Sequence, residues 1–143
     1  MSFFPSFNWL GGGQVKQAKC FTGVSEKPSL EEAVQELSAT LGGRREADLG
    51  LVFASTSYAS DLPRLIPLLK KKLSAKNWVG CAGSGVIGTS SDGSVRELES
   101  GPALSVTLFN LPGVIINAFS LDTDALPDLD GSPLAWQKWI GVD

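Results

Sequence analysis

Two short apolar runs bracket a leucine-rich stretch in the middle of this chain, and that pattern constrains the fold more than any other feature. ADLGLVFAS brings Leu49, Leu51, Val52 and Phe53 together, as expected of a strand buried on both faces. ASDLPRLIPLLKKKLSA follows, with Ser60 or Asp61 as the cap and Leu62, Leu65, Ile66, Leu69 and Leu73 on one helical face. Pro67 is expected to disturb this helix, because a proline beyond the first turn removes a hydrogen bond and crowds the turn before it. Trp78-Val79-Gly80-Cys81 is then a second short buried strand, so the three segments read as a parallel βαβ unit. With 143 residues, 43% of them hydrophobic, the chain can bury a core of its own.

The flanks add elements of other kinds. QVKQAKCFTGVS alternates weakly, as a strand would. PSLEEAVQELSATLGG carries the Ser29/Glu32 capping box, the stripe Leu30, Ala33, Val34, Leu37 and Leu41, and a Gly42-Gly43 stop. Residues 94–99 fit a short strand. ALSVTLFN and VIINAFSL fit an antiparallel pair joined by Leu111-Pro112-Gly113-Val114, with proline and glycine where a type II turn places them. A short helix is expected from Ser132-Pro133 to Trp139, leaving Trp136, Trp139 and Ile140 in need of an apolar surface. The expected fold is α/β: a mixed sheet with one parallel βαβ unit, an antiparallel hairpin extension, and helices packed on the sheet. Residues 1–13, closed by three glycines, read as a flexible leader, and 14–143 as a single domain.

Composition excludes several functions. The net charge is −3, and Lys70-Lys71-Lys72 reads as a solvated last helical turn, so nucleic acid is not an expected partner. No apolar run reaches the roughly 20 residues of a membrane span. No histidine is present, which removes Ser-His and Cys-His pairs and histidine metal sites. No signal-peptide pattern precedes Cys20 and Cys81, so an intracellular, reducing setting is expected, the cytoplasm first, with organelle targeting left open.

Gly83-Ser84-Gly85-Val86-Ile87-Gly88 has the G-x-G-x-x-G spacing of a dinucleotide loop. Such a loop needs a strand before it and a helix opening within it. The strand is there, but TSSDGSVRELESGPALSV follows where the helix should be, and 102–104 lacks the acidic ribose partner. No cofactor is expected, and the glycines are read as serving backbone geometry or close packing. A nucleophile elbow at Ser84 fails because Ala82 stands where glycine is required. Cys81 has no evident activating group, so a hydrolase is disfavoured and a small structural hydrophobe preferred.

One constellation remains. If the two strands of the βαβ unit are parallel neighbours, Ser55, Thr56, Ser57 and Tyr58 leave the sheet at the same edge as Cys81, Gly83, Ser84 and Gly85. Small polar ligands bind at that edge in open α/β sheets. Asp92, Glu97 and Glu99 could bring charge there, although solvated loop acids are the simpler reading.

"SLEEAVQEL", "ADLGLVFAS", the leucine-rich helix, "WVGCAGSGVIG" and "ESGPALSV" occur in an order that resembles the amino-terminal part of the FIST domain. The resemblance covers about residues 20–120 and is strongest over 80–88 and 99–105, making Gly80, Cys81, Gly83, Gly85 and Gly88 family features. It implies a non-enzymatic intracellular sensory module for small ligands such as amino acids, found alone, beside signalling domains, or in some F-box proteins that recruit a protein partner. It brings no catalytic residues. A family domain continues into a second β-rich half, so the resemblance implies that this chain holds the amino-terminal part. No segment here resembles an F-box.

Overall fold

The structure is a computed structural model that describes residues 17–42, 46–119 and 126–141. The expected leader over 1–13 and the domain start at residue 14 lie outside the described residues. The chain runs through β1 (Lys19–Ser25), α1 (Leu30–Thr40), β2 (Glu46–Ser55), a 3₁₀ turn (Thr56–Asp61), α2 (Leu62–Lys72) and β3 (Ser74–Gly83). It continues through β4 (Val86–Thr89), β5 (Val95–Leu98), β6 (Leu104–Asn110) and α3 (Pro133–Ile140).

α1 starts where its capping box predicts. Ser29 is extended, with φ −102° and ψ 145°, and its hydroxyl accepts from the Glu32 amide at 3.3 Å. At the other end Gly42 takes φ +75°, a left-handed position that suits glycine, and its amide donates to the Ala39 carbonyl. Leu30, Ala33, Val34 and Leu37 face inward along the helix, and Leu41 follows them. Ser29→Ala is expected to cost about 1 kcal/mol in urea denaturation, since it orphans one first-turn amide.

The βαβ unit forms as expected. β2 and β3 pair in parallel from Glu46↔Ser74 to Ser55↔Gly83, with α2 between them in sequence. Pro67 does not end α2, which runs on to Lys72. The proline is exposed, two residues and about 200° round the helix from buried Leu65, so water can take the carbonyl it leaves unpaired.

The main sheet has the order β1-β6-β2-β3, with β6 antiparallel to both its neighbours. On one face Val52, Ala54, Leu104, Val106 and Leu108 pack with Leu30, Leu37, Leu65 and Leu69 of the two helices into a single core. The antiparallel hairpin lies elsewhere than the sequence suggests. It is β4–β5, registered from Val86↔Leu98 to Thr89↔Val95, and it packs across Val24 and Ala103. The Leu111–Val114 turn does form, with Gly113 at φ +81° and the Val114 amide donating to Leu111. Residues 114–119 nevertheless form no strand. β6 is paired on both edges, so it has no hydrogen-bonding edge left for a following strand.

α3 carries Trp136 and Trp139 in edge-to-face contact, their ring centres 6.1 Å apart. Both are half-buried, as is Ile140, and the Asn117 side chain donates to the Ile140 carbonyl at 3.0 Å. No described helix is long and apolar enough to cross a membrane.

Candidate functional site

The parallel pairing of β2 and β3 brings Ser55 level with Gly83 at the carboxyl ends of the strands, as the sequence predicts. Beyond that point the predicted residues separate into two groups.

Ser55 and Tyr58 face inward. Ser55 is 2% exposed; its amide donates to the Ala103 carbonyl at 2.8 Å and its hydroxyl accepts from the Ala103 amide at 3.0 Å. The pair ties the end of β2 to the segment entering β6. Tyr58 is equally buried, and its phenol donates to the backbone carbonyl of Lys27. Burial, then the nearby charges of Glu32 and Glu36, push its pKa up to about 12.

Thr56, Ser57, Cys81, Ser84 and Gly85 are exposed, and Gly83 is half-buried. Ser84 and Gly85 open a pocket of about 500 Å³ whose other walls are Val86, Ile87, Glu97 and Glu99. The hairpin register sets one of those walls, since Ile87 pairs with Glu97, and Glu99 lies one residue past the end of β5. The Glu99 side chain lies over Gly85, where an added Cβ would sit 3.7 Å from its Cγ. Two carboxylates and no cationic side chain line this space, so it favours a positive group. Val86 is a buried floor, and Ile87 is a wall 63% exposed to solvent. The reading of 94–99 as a short strand is the sequence signal that separates Glu97 from a loop acid, whereas Glu99 lies just beyond the strand's end.

Asp92 has a different task. It accepts from the Ser94 amide and hydroxyl at 2.9 and 2.6 Å, closing the β4–β5 turn, and these bonds hold its carboxyl below the ordinary range. A second hollow of about 330 Å³ beside this turn is lined by Glu26, Lys27, Glu36 and Arg96 among others, with Arg96 paired to Glu26 at 3.2 Å. A third, of about 620 Å³, lies in the groove between α1 and α2, with Val34 and Leu68 between lysines and glutamates.

The glycine block resolves into packing and pocket positions. A Cβ on Gly80 would lie 1.8 Å from the Val52 carbonyl oxygen, and one on Gly88 would lie 2.6 Å from Val24 Cβ. Both are sites of close approach, one between strands and one between the hairpin and the sheet. The segment after Gly85 is strand β4, so no helix end faces this loop. Cys20 and Cys81 are exposed free thiols, and partial burial raises the pKa of Cys20. Among the described residues no group of three or more Cys, Asp or Glu side chains could hold a metal ion.

A family model for the FIST N domain matches residues 48–125, a span that takes in most of β2, the elements from there to β6, the glycine block and the Glu97/Glu99 pocket. No curated protein and no solved structure matches the chain. The match covers more than half of the sequence, and the chain belongs to the FIST family through its FIST N domain.

Proposed function

We propose that this domain is a non-enzymatic sensor, and that it takes a small amine-bearing ligand, such as an amino acid, in the pocket at Ser84, Gly85, Glu97 and Glu99. The observation that carries the reading is the all-acidic charge of that pocket, set within the family match. An ammonium between the two carboxylates gains Coulomb energy, while Val86 and Ile87 offer apolar contact and the Ser84 hydroxyl can bond a polar end. Solvent reaches the site, so each carboxylate contributes roughly 1 kcal/mol at most rather than the larger figure of a dry pair. Two such contributions supply at most about 2 kcal/mol, so the apolar contacts and the Ser84 hydrogen bond supply the rest of the roughly 4 kcal/mol that a millimolar Kd requires. Exposed free thiols at Cys20 and Cys81 fit an intracellular, reducing setting for this sensor.

The test is thermal unfolding of the chain with a panel of amino acids, simple amines and simple carboxylic acids. A ligand at about 100 times its Kd adds roughly 2.7 kcal/mol and raises the transition clearly. Amino acids or amines should raise it and carboxylic acids should not. Glu99→Gln should weaken the best ligand about fivefold, consistent with losing one exposed charge pair. Equal stabilisation by carboxylic acids, or an unchanged Kd in Glu99→Gln, would remove this pocket from consideration.

A further inference from the structure

We infer that the outer edge of β3 is the seam of a symmetric dimer, in which the strand pairs antiparallel with β3 of a second copy of this chain.

β3 stands at the end of the main sheet, and among the described residues no strand pairs with its outer side. Its ten residues keep one register with β2 throughout, without a bulge to twist the edge away. Natural edge strands are guarded by charges, proline, bulges or a covering element. Residues 77–89 contain no charged side chain and no proline. Lys76, the one charge within β3, pairs with Asp48 of the neighbouring strand β2 at 2.8 Å, although its side chain is 59% exposed. Among the described residues no covering element guards the strand either. The β4–β5 hairpin turns away onto Val24 and Ala103, and Val79, Cys81 and Ala82 remain exposed.

A second copy fits this edge because an antiparallel strand edge is complementary to itself. Rotation about a two-fold axis sets the donors of one strand against the acceptors of the other. Charge fits the same occupant, since the edge from Asn77 onward is uncharged and meets its twin without repulsion. The flanking side chains extend the contact. Leu51 and Phe53 stand beside Val79 and Cys81 in the register, and Phe53 and Val79 are 41% and 47% exposed. The two-fold joins these strips into one apolar band across the seam. A strand pair with one such band is a small interface of the transient kind, so the dimer is expected to be weak and concentration-dependent.

Sedimentation of the full chain from low to high micromolar concentration tests the inference, with amide exchange followed in parallel. The mass should rise towards twice that of the chain, and β3 amides should gain protection as it does. Val79→Lys, on the open face, and Ala82→Lys, three residues along on the other, should each weaken association at least tenfold while keeping a cooperative thermal transition. A chain that stays monomeric throughout would overturn the proposal. So would a dimer that neither substitution weakens, or β3 protection that is strong at every concentration, which would mean that another segment of the same chain covers the edge.

Discussion

Gly80→Ala is expected to destabilise the domain by about 3 kcal/mol, the upper end of what an overpacked position costs. A methyl there would lie 1.8 Å from the Val52 carbonyl oxygen and 2.8 Å from the carbon behind it. Those atoms belong to the β2 backbone at the middle of the β2–β3 pairing and have no rotamer to adopt. Relief requires the two strands to part, which weakens hydrogen bonds on both sides of the new methyl. Gly85→Ala is the control within the same glycine block. Its added Cβ would meet nothing nearer than 3.7 Å, so its urea midpoint should stay close to that of the parent. Equal midpoints for the two variants would refute the close approach at Gly80.

Tyr58→Ala should cost about 4 kcal/mol, as large-to-small changes in a packed core do. The side chain is 2% exposed and sits within the core shared by both helices and the sheet. Tyr58→Phe should cost about 1 kcal/mol, because it keeps the ring and leaves the Lys27 carbonyl without its donor. The same residue sets an alkaline limit. Its pKa moves from 10.0 to about 12 on folding, so both states hold the proton below pH 10 and the full contribution is present there. Between pH 10 and 12 the unfolded chain releases its proton first, and stability falls as pH rises. Tyr58 is the only tyrosine in the chain, so the absorbance of tyrosinate reports this titration directly. The Phe variant should lose that part of the alkaline decline in transition temperature. A phenol that titrates near pH 10 in the folded protein would contradict its burial.

Tyr58 also shows where reading the sequence stops. A phenol following Ser55-Thr56-Ser57 at the end of a strand looks like part of a polar rim. Its true position depends on the Thr56–Asp61 turn lodging it against Lys27, 31 residues earlier, and no local pattern encodes that. Local signals succeeded where the decisive neighbours are close in sequence. The Ser29/Glu32 cap acts within one turn, and the βαβ unit follows from two apolar runs and one helical stripe. They failed where pairing partners compete. VIINAFSL has the composition of a strand, but β1 and β2 already hold both edges of β6. β4 was hidden for the opposite reason: glycine lowers strand propensity, yet Gly88 is what allows that strand to lie against Val24. For the site, the strand-end position of Ser84 and Gly85 was legible, whereas Val86 and Ile87 became walls only once the hairpin was known.

The place of β6 between β1 and β2 also governs the order of events in folding. Lys19 pairs with Asn110, so the first strand finds its partner only in the last strand of the sheet. During synthesis β1 waits, on the order of ten seconds at ribosomal rates, for that partner to emerge. α1, β2, α2 and β3 can assemble earlier through short loops, and leave open the one-strand gap between β1 and β2 that β6 later fills. Closing it has the high contact order associated with slow folding. A nascent chain halted before residue 104 would therefore display β1 and one edge of β2 unpaired, the form of this protein on which a holding chaperone would act.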